Sequence, residues 1–302
     1  MAAKKIPAKK PWSLISEEKL RQIYTTMQRC AMLQERLRKQ KRSRRGHGSA
    51  SLCARPEAIL AGSAIDLLAT DTIVLPVEDA AAACVRGVPL REIFASVTAK
   101  TSAHNNAHNL LTPTSPAALL PMSLGLAWSY VQQKNSAVVV VYWNHASVPA
   151  DALQEALRYA SAHKLPMLFV CATEQAVAPH SAAHKKSRDF HVLAHACGVP
   201  GIPVDGSDAV AIYRVAFESL QRARNGGGPT LMEAMLLPQK AGATADSCGD
   251  PLIAMERYLE PRGLFNAAWK KKITQTLTKE MDRAATHAKL RRRTSAGKPR
   301  SG

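Results

Sequence analysis

The sequence predicts an α/β fold in which a mostly parallel sheet carries helices on both faces. Three observations predict it. Short apolar runs alternate along the chain with patterns of helical period. The runs are apolar at consecutive positions, as in Ala137-Val138-Val139-Val140-Val141, so neither face of such a strand is suited to water. At 302 residues and 46% hydrophobic content, the chain can bury one large core or two small ones.

From the N-terminus, Glu17 to about Gln40 sets Leu20, Ile23, Tyr24, Met27 and Ala31, then Leu33 and Leu37, on a drifting stripe that predicts a long amphipathic helix. It runs into a basic segment, Arg36 to Gly48, ending in Gly-His-Gly. Thr72 to Pro76, Ser136 to Trp143, Pro166 to Ala172, Gly201 to Val204 and Pro229 to Leu236 read as short strands buried on both faces, with helices between them. The helix after Gly206 is the best defined. Ser207 is its expected cap, Val210, Tyr213, Phe217 and Leu220 share one face, and Asn225-Gly226-Gly227-Gly228 ends it. In parallel sheets ligands sit beyond the carboxyl ends of the strands, so the loops after Trp143 and Ala172 are where chemistry is expected. The resulting division is a basic tail at 1–16, a helix with a basic end at 17–48, one α/β domain at 49–288 and a basic tail at 289–302.

Charge and cysteine content narrow the function classes. The formal net charge is +18. Met1 to Lys10 holds four basic residues, Arg36 to Arg45 seven and Lys289 to Gly302 six, none with an acid, so these blocks account for 17 of the charges and the remainder is nearly neutral. Such blocks can bind nucleic acid or an acidic partner. Without interleaved aromatics or a nucleic-acid-binding fold around them, a solvated tail is the simpler expectation and nucleic acid is not the expected partner. The six cysteines (Cys30, Cys53, Cys84, Cys171, Cys197, Cys248) are scattered singly, which predicts reduced, mostly buried thiols rather than a disulfide framework or a zinc site. No apolar run approaches the ~20 residues of a membrane-spanning helix, and the N-terminus lacks the apolar stretch of a secretory signal, so a cytoplasmic protein is expected.

Several segments then carry a family resemblance. Gly198-Val-Pro-Gly-Ile-Pro-Val-Asp-Gly-Ser-Asp208, Ala211-Ile-Tyr213 and Arg222-Ala-Arg-Asn-Gly-Gly-Gly-Pro-Thr-Leu-Met-Glu233 are the strongest. Arg55-Pro-Glu-Ala58, Arg86 to Ile93, Pro121 to Gly125, Lys164-Leu-Pro166, Asp250-Pro251 and Tyr258 to Gly263 support them in the same order. Together they resemble the alpha subunit of the thiamine-diphosphate-dependent 2-oxo acid dehydrogenases, the decarboxylating component, from about Glu17 to Lys289. The resemblance implies a thiamine-diphosphate-binding fold. It also implies a cofactor held through magnesium at an interface with a beta subunit, decarboxylation of a 2-oxo acid, and transfer of the acyl group to a lipoyl carrier. The alpha subunit of such a pair holds the diphosphate end, while the activating glutamate comes from the beta subunit.

Residue by residue, the resemblance stops at the cofactor. The family's Gly-Asp-Gly aligns with Asn144, His145 and Ala146, and its later Asn with Thr173-Glu174. Magnesium demands hard oxygen ligands in near-octahedral array, which an imidazole does not supply. Zinc or iron would suit His145 better and make His145 with Glu174 the ligands of a changed metal, but two ligands do not make a site. Where the family grips phosphate with an aromatic or His followed by Arg, the chain has Val77-Glu78. An anion in place of a cation about 4 Å from a phosphate costs on the order of 4 kcal/mol each way at an effective dielectric of 20. The family's glycine-rich stretch reads Leu111-Thr-Pro-Thr-Ser-Pro-Ala-Ala-Leu-Leu-Pro121, and in the loop after Glu233 Pro238 stands at the family Arg and Gly242 near the family His. His180, His184, His191 and His195 spread around a helix and read as structural rather than as replacements.

Five altered positions in one pocket beside a well-matched scaffold predict a pseudoenzyme. Thiamine diphosphate and magnesium would then bind weakly or not at all, and the fold would serve assembly or regulation with a beta-type subunit or with itself. The alternatives are an active oxidoreductase on the aldehyde or oxo group of a 2-oxo acid, using a rearranged pocket, and a binder of nucleic acid or an acidic partner through the basic tails.

Overall fold

The computed structural model describes residues 15–42, 52–53, 55–99, 108–174, 189–236 and 249–296. The stripe on the first helix, α1 (Glu17–Arg42), is buried at Leu20, Ile23, Tyr24, Met27, Leu33 and Leu37, with Cys30 in the seam and Ala31 only half-buried beside it. After α2 (Glu57–Ala64) the chain enters β1 (Thr72–Val74), then α3 (Ala80–Val85) and α4 (Leu90–Ala99). The stretch that stands in place of the family's glycine-rich segment is partly regular. Leu110–Leu111 forms a short edge strand, β2, and Pro116–Ala118 is a 3-10 turn that leads into α5 (Leu119–Gln132). Pro121 falls in the first turn of α5, where a missing N–H costs no intrahelical bond.

The second half alternates strictly: β3 (Val139–Asn144), α6 (Ala150–Ala162), β4 (Met167–Glu174), α7 (Phe190–Ala196), β5 (Gly201–Asp205), α8 (Ala209–Arg224) and β6 (Thr230–Leu236). The helices α9 (Pro251–Leu259) and α10 (Ala267–Ala296) follow. All pairings are parallel, in the order β2-β1-β3-β4-β6-β5. Alternate residues of the central strands feed two separate cores. Val140 and Tyr142 join α1, α2, α3, α8, α9 and α10, while Val139, Val141 and Trp143 join α5, α6 and α7. This two-sided covering is why β3 is apolar at every position from Val139 to Trp143.

The cap of α8 differs from expectation. Asp208 caps it, its Oδ1 accepting from the amides of Val210 and Ala211, while Ser207 turns back and donates its hydroxyl to Asp205. A carboxylate at this position also meets the positive end of the helix dipole, which a hydroxyl does less well. Phe217 stands 44% exposed instead of sharing the buried face with Val210, Tyr213 and Leu220. Gly62 of α2 is required by the crossing with α8: a Cβ there would stand 2.8 Å from Ile212 Cγ2 and 2.9 Å from the Ala209 carbonyl. Among the described residues no helix is long and apolar enough to cross a membrane.

Candidate functional site

The strand order selects the site. From β1 the chain goes outward to β2 and then crosses to β3 on the other side, so the sheet reverses between β1 and β3, and ligands of such sheets occupy the crevice at that reversal. Two loops border it: the one leaving β1, with Val77 and Glu78, and the one leaving β3, with His145 and Ala146.

In the first loop Val77 is half-buried and Glu78 exposed. The next residue, Asp79, is buried and caps α3: its Oδ1 accepts from the amides of Ala81 at 2.7 Å and Ala82 at 3.3 Å, and its Oδ2 from that of Leu52 at 3.2 Å. Two of the amides that open α3, those of Ala81 and Ala82, are therefore committed to a carboxylate of the chain itself.

The second loop is likewise closed on itself. The Asn144 Oδ1 accepts from the Ala146 amide at 3.2 Å, and its carbonyl accepts from the Ser147 amide and hydroxyl at 3.0 and 2.9 Å. The His145 amide extends the ladder to Ala172 at 3.1 Å, while its ring is exposed. Glu174 ends β4 opposite Leu236, and its side chain lies outside the described residues, as do His180, His184, Pro238 and Gly242. Among the described residues no group of three or more His, Cys, Asp or Glu could hold a metal ion.

Beside these loops a cleft of about 580 Å³ opens between the starts of α5 and α6. Pro116, Leu120, Leu124, Val148, Ala152 and Tyr159 are among its walls, and Glu155 brings a carboxylate to it.

A polar cluster that sequence reasoning missed joins the middle of β6 to the last residues of β4 and the start of α7. Glu233, 1% exposed, accepts from the Thr173 hydroxyl at 3.0 Å through Oε1. Through Oε2 it accepts from the His191 amide at 3.0 Å and meets His191 Nδ1 at 2.7 Å. Cys171 Sγ stands 3.6 Å from the Thr173 hydroxyl, and burial pushes its thiol well above the ordinary range. The signal was present in the sequence: a carboxylate inside the apolar strand Thr-Leu-Met-Glu-Ala-Met-Leu must find donors or remain an unpaired buried charge.

A family model described as Dehydrogenase E1 component matches residues 24–237. The chain belongs to that family. It is similar to the pyruvate dehydrogenase E1 component subunit alpha of Staphylococcus epidermidis, 26% identical over 180 residues that make up 54% of this chain and 49% of that protein. The corresponding subunit of Staphylococcus aureus is 28% identical over 158 residues, 47% of this chain and 43% of the other. The 2-oxoisovalerate dehydrogenase subunit alpha of Bacillus subtilis is 25% identical over 258 residues, 76% of this chain and 77% of the other. The chain thus spans about half the length of the pyruvate dehydrogenase relatives it matches.

Within this family member two motifs far apart in sequence meet. Arg55 binds Asp250 bidentately at 2.6 and 2.8 Å and Glu57 at 2.9 Å through Nε, while Asp250 caps α9 by accepting from Leu252 and Ile253. Burial raises the Glu57 carboxyl above its ordinary value and the charge of Asp250 adds to this, with Arg55 opposing both.

Proposed function

We propose that this chain is an alpha-type subunit of the dehydrogenase family that has kept the fold for assembly and given up the grip on a diphosphate. Thiamine diphosphate with magnesium is the group the family implies, and the residues at the crevice do not fit it. The observation that carries this reading is the loop after β1. The amides of Ala81 and Ala82 already bind the Asp79 carboxylate, and Glu78 adds a second negative charge beside it. A diphosphate entering there would face two anions, with the amides of Ala81 and Ala82 at the start of α3 already taken. At the β3 loop, His145 stands where a magnesium ligand would need a hard oxygen, and the Asn144 Oδ1 is engaged by Ala146.

The assembly half of the proposal rests on α5. Its fourteen residues, Leu-Leu-Pro-Met-Ser-Leu-Gly-Leu-Ala-Trp-Ser-Tyr-Val-Gln, include no charged side chain. The neighbouring apolar cleft includes Tyr159, 43% exposed, and Val131 near the end of α5 is 39% exposed, apolar surface that a partner would cover. A beta-type subunit is the partner that relatives called alpha subunits suggest, with a second copy of this chain as the other candidate.

The test is calorimetric titration of thiamine diphosphate and magnesium into the chain alone and into the chain mixed with a candidate beta-type subunit. Heat of mixing for the two chains with no cofactor heat in either setting is the expected result. Tight cofactor binding in either setting would overturn the reading and restore an active dehydrogenase.

A further inference from the structure

A buried carboxylate is costly unless donors converge on it, and three converge on Glu233: the Thr173 hydroxyl, the His191 amide and the His191 ring. Because Oε2 already accepts from the His191 amide, it is the acceptor toward the ring as well, so Nδ1 carries the hydrogen. Neutral His191 is then held with the lone pair on Nε2, and Nε2 has no partner among the described residues. The ring is neither sealed nor adrift, with 22% of the side chain accessible.

The backbone is placed as tightly as the ring. Gly201, where β5 begins, lies under the first turn of α7 so closely that a Cβ would stand 2.1 Å from the His191 carbonyl oxygen. A glycine at the start of β5 and a carboxylate from the middle of β6 thus fix His191 against the sheet. The arrangement is the one that makes an imidazole an effective nucleophile or base: one nitrogen tied to a buried carboxylate, the other open.

We propose that His191, oriented by Glu233, is a nucleophilic imidazole that accepts an acyl group from small ester-type donors. The Nε2 lone pair forms a bond to the carbonyl carbon, the carbon–oxygen bond to the leaving group breaks, and the leaving group departs as its anion. Water then cleaves the acyl-imidazole, releasing the carboxylic acid and restoring Nε2. Neither Glu78 nor His145 takes part, so the site stands whatever the fate of the diphosphate.

The probe is p-nitrophenyl acetate, with nitrophenolate release followed by its absorbance on the full-length chain. His191→Asn keeps an N–H for Glu233, preserving the fold contact while deleting the nucleophile; it is expected to lower the rate at least about tenfold with little change in melting temperature. Glu233→Gln lowers it several-fold, and His195→Asn, an exposed histidine one turn along the same helix, leaves it unchanged. Two-bond proton–nitrogen correlation spectra of neutral His191 should show hydrogen on Nδ1. A His191→Asn rate equal to wild type, or hydrogen on Nε2, would sink the proposal and leave Glu233 as a cap for α7 alone.

Discussion

The two edges of the sheet are built on opposite principles. Where the strands begin, Asp71 is fully buried and meets Arg224 through both carboxylate oxygens, Oδ1 at 2.8 Å; the same carboxylate accepts from the amides of Leu68 and Val138. Arg224 also donates to the Ser136 carbonyl, tying the end of α8 to the start of β3. Where the strands end, the carboxylates of Asp79, Asp208 and Asp250 cap the helices that leave the edge, and Glu78 and His145 face solvent. One edge is locked by a buried ion pair between distant elements; at the other the caps are made within each loop, with Asp250 held in addition by the half-buried Arg55. A scaffold can therefore stay intact while the surface beside it changes, because the two draw on different residues.

The sharpest way to break that contrast is Asp71→Ala. It leaves Arg224, whose side chain is 13% exposed, without its counterion, and should cost about 3–5 kcal/mol, roughly 10 °C in melting temperature. A loss under 1 kcal/mol in a denaturant titration would show that the pair is not what holds this edge. At the other end of α8 the effect is local: Asp208→Ala should cost about 1 kcal/mol and Ser207→Ala about half that or less, and the reverse order would reinstate Ser207 as the cap.

A smaller effect separates by pH. Burial raises Glu57 in the folded chain above 4.5, so the folded state holds this proton more tightly than the unfolded state. Its contribution is fully present below pH 4.5 and is lost as pH rises through the folded-state value. The stability of wild type relative to Glu57→Gln should accordingly fall as pH climbs from about 4.5, and a difference that grows with pH would reverse the assignment. Smallest in stability is Glu78→Arg with His145→Asp, two exposed positions expected to shift stability by no more than about 0.5 kcal/mol. That double variant should gain measurable heat with thiamine diphosphate and magnesium; continued silence would locate the obstacle in the committed amides of α3 instead.

The strands were legible because burial on both faces leaves a mark at every residue, as in Val139 to Val141, and α1 because its stripe is periodic. The cap of α8 was misread by one residue: Ser207 and Asp208 are both good caps, and only the backbone path after β5 decides between them. The short strand Leu110–Leu111 left no signal, since two residues carry no period. Val77, Glu78, Asn144, His145 and Ala146, reached through the resemblance, lie at or just after the ends of β1 and β3, whereas the His191–Glu233 pair was not seen, its members standing 42 positions apart.

By itself, the sequence determined the class of fold, the parallel strands and the family, since these follow from local periodicity and contiguous motifs. Only the tertiary structure decided which carboxylate meets which donor. Arg55 with Asp250, Asp71 with Arg224 and Glu233 with His191 are each joined across the sheet or between helices. A buried charge requires a partner, but nothing in one dimension says how far along the chain that partner lies.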